Sequence, residues 1–103
     1  MQVSEGFSYT WDAAQAEGAA AGTGNRVVSG SITLNGQQLD INKVYRVTVN
    51  NFMATGGDNF TLLVQGKNRQ DGPIDIDIFD AYFKTNTPIA PNKLARINVL
   101  NAM

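Results

Sequence analysis

Arg26-Val27-Val28-Ser29-Gly30-Ser31-Ile32-Thr33-Leu34-Asn35-Gly36-Gln37-Gln38-Leu39-Asp40 decides the fold class. Val28, Gly30, Ile32 and Leu34 fall on one face of an extended chain, and Val27, Ser29, Ser31 and Thr33 on the other, the period-two pattern of a half-buried strand. Asn35-Gly36 follows at once. Both residues accept the positive φ of a type I′ turn, so the pair predicts a hairpin whose short return strand is 37–40. A sheet is therefore expected at the centre of the molecule.

Working outward, Val3, Phe7, Tyr9 and Trp11 alternate with polar residues, with an interruption at Gly6, and predict a strand or a bulged pair of short strands. Residues 12–25 are rich in Ala and Gly and carry no large apolar side chain, which predicts a mobile loop with at most one frayed turn. Beyond the hairpin, 40–43 reads as a polar turn and 44–49 as a strand, with Tyr45, Val47 and Val49 on one face. Residues 61–65 read as a short strand or extended piece, and 66–72 as a charged loop. Residues 73–86 predict the main helix: Asp75 as N-cap, Ile74 and Phe79 as a hydrophobic staple, Asp77 and Asp80 near the first turn, and an apolar stripe of Ile78, Phe79, Tyr82 and Phe83. Pro88 and Pro91 mark the exit, and 96–100 alternates as a closing strand. Arg46 and Arg96 read as solvated outward positions. The expected class is α+β, a mixed or antiparallel sheet of about five strands with one main C-terminal helix.

The 103 residues, 43% hydrophobic, suffice for one domain spanning 1–103 with a modest core. A net charge of −1 with scattered basic residues offers no footprint for nucleic acid or an anionic membrane. The absence of Cys and His removes thiolate nucleophiles, zinc-cysteine sites, Ser-His-Asp triads and imidazole-held metals. Asp71, Asp75, Asp77 and Asp80 lack the central Gly and terminal Glu of a calcium loop, and read as helix-capping acids. No apolar run approaches the roughly 18 residues of a spanning helix, and the first residues lack a leader's basic and apolar regions, so the chain as given reads as soluble and untargeted.

The richest chemistry lies in Asn50-Asn51-Phe52-Met53-Ala54-Thr55-Gly56-Gly57-Asp58-Asn59-Phe60. An aromatic face stacks a flat heterocycle, and a carboxylate accepts two hydrogen bonds from vicinal hydroxyls such as those of ribose. Phe52 beside the amides of Asn50 and Asn51, with Asp58 on a tight Gly56-Gly57 turn, would suit a nucleoside. From chemistry alone a second reading stands beside it: Phe52 and Phe60 as core residues flanking a loop in which Asp58 forms an Asx turn.

The string Asn51-Phe52-Met53-Ala54-Thr55-Gly56-Gly57-Asp58-Asn59-Phe60 resembles the Asn-Phe-x-x-x-Gly-Gly-Asp-x-Phe signature in the C-terminal domain of the 5′-nucleotidase family. These are two-domain metallophosphoesterases that also act as UDP-sugar hydrolases and cyclic phosphodiesterases. Residues 1–12, 34–47, 71–83 and 90–99 are similar, in the same order, to the family's opening strands, its hairpin and Tyr-containing strand, its acidic helix and its closing strand. The resemblance spans nearly the whole chain. It implies a substrate-specificity role for this part, and places the divalent metals and the catalytic His-Asp pair in an N-terminal domain not present here. It implies that Phe52 stacks on a nucleobase, that Asp58 binds ribose hydroxyls, that Asn51 lies in the same substrate site, and that Gly56-Gly57 lets the loop pass close to the sugar. Asn59 departs from the Gly common at its place.

The family's second stacking aromatic, and its arginines and asparagine for phosphate and base, lie upstream of the segment matching Met1. The chain thus resembles the latter part of the substrate-binding domain, with Met1 standing where the family has an apolar residue inside a strand. One stacking face contributes about 1 to 3 kcal/mol, so the expected nucleoside or nucleotide binding is weak. No cofactor is expected in this chain itself. The resemblance implies a periplasmic, secreted or cell-surface setting. The rival reading is a structural module that keeps the fold without the ligand and self-associates, as a homo-oligomer, to cover exposed sheet edge and apolar surface.

Overall fold

Phe7–Asp12 forms β1, entered through a turn in which the Phe7 N–H donates to the Ser4 carbonyl at 3.1 Å. The computed structural model describes residues 2–20, 22–91 and 93–102. Expectations resting on Met1, on Ala21 in the Ala/Gly loop, and on Asn92 before the closing strand lie outside the described residues. The chain divides into two units, Met1–Val44 with Asn92–Met103, and Tyr45–Pro91.

The first unit is built on β1. Thr33–Leu34 (β2) and Gln37–Gln38 (β3) form the expected hairpin, with Asn35 and Gly36 both at positive φ, 52° and 81°. β2 pairs antiparallel with β1 through Phe7–Leu34 and Ser8–Thr33, and Ile97–Leu100 (β4) pairs parallel with it from Tyr9–Ile97 to Asp12–Leu100. The result is a four-stranded mixed sheet in the order β3-β2-β1-β4. Alternation along β1 separates two kinds of contact. On the odd positions, Phe7 and Tyr9 meet edge-on at 6.4 Å and the Arg26 guanidinium lies 4.8 Å over the Trp11 ring. On the even positions, the Ser8 and Thr33 hydroxyls bond at 2.7 Å.

The expected strand 26–34 is broken. Between the Ser8–Thr33 and Trp11–Val27 pairs β1 advances three residues and its partner six, so the partner carries a bulge around Gly30. Gly30 sits at φ +76°, where a side chain would be strained. The Ser31 hydroxyl fills the gap in the ladder. It accepts from the Thr10 N–H at 3.1 Å and donates to the Thr10 carbonyl at 3.1 Å.

Two further expectations need correction. Residues 44–49 form no strand, and Val44 is 92% exposed; their alternation matches a pleated surface, but the ladder order contains no place for them. The expected α+β class holds all the same, with a mixed sheet of four strands against the expected number of about five and one main helix. Arg96 is not simply solvated, since its guanidinium donates to the Val3 carbonyl at 2.8 Å.

At the end of β1, Asp12 gathers polar partners. Asn101 donates to its Oδ1 at 2.7 Å, the Ala14 N–H at 2.9 Å, and the Gln15 amide to Oδ2 at 3.2 Å. The Asn101 bond first, then those of Ala14 and Gln15, hold the Asp12 carboxyl below the ordinary aspartate value, with Arg26 adding a smaller favourable charge and desolvation opposing.

In the second unit Asn51–Ala54 forms α1, and Asp75–Thr85 forms α2. Thr61–Gln65 is a 3₁₀ helix, not the expected strand, because the chain closes local bonds from Leu63 N–H to Phe60 at 3.1 Å and from Gly66 N–H to Leu63 at 3.2 Å. α2 begins one residue earlier than its acids suggested. Ile74 is the N-cap, and Asp75 lies inside the first turn, where it accepts from the Ile76 N–H at 2.8 Å. Ile74 therefore stands at the cap itself and not before it, so the Ile74–Phe79 staple is not in its expected register. Phe79 and Phe83 stack edge-on at 4.7 Å, and Lys84 pairs with Asp80 at 2.8 Å.

No described residue is buried, so the modest core expected from composition is absent. The reason is architectural. A sheet face or a helix stripe becomes core when a second layer covers it, and the first unit is a single sheet with two strands of only two residues. On α2 the stripe residues Ile78, Phe79 and Tyr82 remain 53%, 59% and 52% exposed.

Candidate functional site

A helix of four residues has no intrinsic stability, so side chains must hold α1. Asn50 is its N-cap, its Oδ1 accepting from the Met53 N–H at 2.8 Å. At the other end the Thr55 hydroxyl donates to the carbonyls of Asn51 and Phe52 at 3.0 and 3.1 Å. The chain then reverses through Gly56 at φ +95° and continues with Asp58 and Asn59 at φ 55° and 63°. Aspartate and asparagine are the side chains that tolerate this left-handed region best.

Gly57 does something its neighbours do not. A Cβ there would stand 2.6 Å from Cδ1 and Cε1 of Phe52 and from the Phe52 carbonyl oxygen, so only glycine fits against that ring. The loop thus turns back onto Phe52 and supports it, while the ring remains 58% exposed. The resemblance implies that Gly56-Gly57 brings the loop close to a sugar; within the chain, Gly57 lies against Phe52 and Gly56 faces Val64.

Asp58 is exposed and makes no hydrogen bond or ion pair to the described residues. The reading of Phe52 as core and Asp58 as an Asx-turn former does not describe this geometry. Asx-type bonds occur elsewhere, from Ala14 N–H to Asp12 and from Asn42 N–H to Asp40, both at 2.9 Å. Asn51, Phe52, Gly56, Gly57 and Asp58 accordingly lie on one short helix and the turn that leaves it, with an aromatic ring and a carboxylate both exposed.

One participant had no signal in the sequence. The Arg69 guanidinium donates to Asn51 Oδ1 and, through Nε, to Asp71 Oδ1 at 3.1 Å. The Arg69-x-Asp71 spacing marks a local ion pair, but nothing in it points to a residue 18 positions away.

Among the described residues no three Asp or Glu side chains converge. Nor, among those residues, is any helix long and apolar enough to cross a membrane.

Comparison with known proteins agrees with the resemblance. The family described as 5′-nucleotidase, C-terminal domain, matches residues 1–65, through the end of the 3₁₀ helix. A 5′-nucleotidase-related protein of Glossina morsitans morsitans is 38% identical over 63% of the chain and 12% of its own length. An apyrase of Tabanus yao is 32% identical over 97% of the chain and 18% of its own length. Endonuclease YhcR of Bacillus subtilis is 35% identical over 94% of the chain and 7% of its own length. The last two carry the likeness past residue 65, across α2. The chain spans less than a fifth of any of these three relatives. No solved structure matches it significantly. The family match over more than half the residues and the segment-by-segment likeness agree, and the chain belongs to the 5′-nucleotidase C-terminal domain family.

Proposed function

We propose that this chain is the nucleoside-recognition part of a 5′-nucleotidase-like hydrolase. The observation that carries the reading is the Phe52 ring, approached by the Gly57 backbone at its Cδ1–Cε1 edge yet more than half exposed, next in the chain to a turn that presents the exposed Asp58 carboxylate. A nucleobase stacks on the open phenyl face, and the two ribose hydroxyls donate to the two Asp58 oxygens. Asn51 adds an amide at the start of the same helix. A single stacking surface contributes about 1 to 3 kcal/mol, so binding is weak. Hydrolysis, in this reading, would be the work of a metallophosphoesterase domain elsewhere in the polypeptide, whose metals would supply an activated water.

The test is a titration of the chain with adenosine and AMP, following Phe52 ring signals by NMR beside a Phe52→Ala control. Saturable shifts at millimolar ligand that vanish in the control support the reading; no shift at millimolar ligand overturns it.

The exposed face of α2 favours a second reading, a self-associating module without a ligand. Sedimentation separates the two: a monomer at high concentration that still responds to adenosine leaves only the first.

A further inference from the structure

Arg69 is exposed on one side and occupied on the other, its guanidinium reaching both Asp71 and Asn51 while its side chain stays 48% accessible. Arginine's planar fork lets one side chain serve two acceptors at once. Asn51 is the first residue of α1 and the neighbour of Phe52, and its Oδ1 is the atom engaged. With one lone pair of that oxygen engaged by the guanidinium, the amide plane is oriented and its two N–H donors remain to offer. We propose that Arg69 is a positioning residue for the Phe52 platform: it ties the 66–72 loop to the start of α1, fixes the orientation of the Asn51 amide, and so makes that amide a reader of hydrogen-bond acceptors on a heterocycle. Asp71 holds the guanidinium in place. The ligand half of this inference rests on the nucleoside reading above; the positioning half does not.

The experiment uses the full chain and the variants Arg69→Ala, Arg69→Lys and Asp71→Asn, read first without ligand. The Asn51 side-chain amide signals and the Phe52 ring signals are expected to move in Arg69→Ala. Arg69→Lys, which keeps a donor without the fork, is expected to restore part of that shift, and Asp71→Asn to cause a smaller one. The Trp11 indole signal reports the sheet unit and is expected to stay in place, which separates positioning from unfolding. Adenosine binding is then expected to weaken about threefold to tenfold in Arg69→Ala, the range for one partly exposed charge-assisted bond. Unchanged Asn51 and Phe52 signals in Arg69→Ala overturn the proposal, as does Arg69→Lys behaving no better than Arg69→Ala. If the wild-type chain itself ignores adenosine, the nucleoside reading falls while the ligand-free spectra still decide the role of Arg69.

Discussion

The sheet unit and the loop-and-helix unit differ in the kind of bond that holds each of them internally. In the first, Asn101 reaches Asp12, Arg96 reaches Val3, and Tyr9 N–H reaches the Arg96 carbonyl at 3.0 Å, all across most of the chain's length. In the second, the caps and turns named above join residues no more than four apart, and the Arg69–Asn51 bond is the exception among them. Long-range ladders open together, whereas short helices and turns open piecemeal. The candidate site is therefore carried by locally determined backbone, where one side chain can reshape it.

Hydrogen exchange tests that contrast most broadly. The Tyr9, Val28 and Leu39 amides, which bond across the sheet unit, are expected to exchange at least about tenfold more slowly than those of Ala54, Leu63 and Gly66, a difference of ~1.4 kcal/mol in opening. Equal protection would erase the distinction.

Gly57→Ala is the sharpest single change in the second unit. The added Cβ meets the Phe52 ring and a backbone oxygen, so a loss of about 1 to 3 kcal/mol is expected, together with displaced Phe52 signals and no adenosine response. Denaturant titration and NMR check it. Ser31→Ala is the counterpart in the sheet unit: it leaves the Thr10 backbone groups without the hydroxyl that fills the bulge, and about 1 kcal/mol is the expected cost by denaturant titration. Asp58→Asn keeps a side chain that tolerates the left-handed backbone, so stability should change by less than about 0.5 kcal/mol while any nucleoside binding is lost. A binding-competent Asp58→Asn chain would remove Asp58 from the site.

The smallest effect concerns pH. The Asp12 pKa is lowered in the folded chain, so its bonds contribute stability above the unfolded value, near 4, and that contribution fades as pH falls through the lower folded value. Acid titration of the sheet unit should show the loss below about pH 4, and Asp12→Asn should remove that dependence while leaving the second unit's pH response unchanged.

Much of the fold was legible in the chain. Asn35-Gly36 specified its hairpin because both residues tolerate positive φ, and β4 was readable because Ile97 and Val99 alternate with polar neighbours. The candidate site was legible as a string: Phe52, Gly56, Gly57 and Asp58 sit on one continuous local structure, and local backbone preferences largely determine such a segment. The same logic explains the misreadings. Alternation in 44–49 describes a surface that could be covered, but pairing depends on which distant segment takes the neighbouring place. Short apolar runs such as 61–65 suit a strand or a helix equally until backbone bonds choose.

By itself, then, the sequence determined the α+β class, the hairpin, the main helix and the family, because turn geometry, periodicity and a signature string are properties of neighbouring residues. Only the tertiary structure decided that Gly30 breaks a strand and Ser31 repairs its ladder, that Gly57 supports Phe52, and that Arg69 holds Asn51. Each of those depends on where a donor, an acceptor or a ring arrives after the chain has turned, and no spacing along the sequence contains that information.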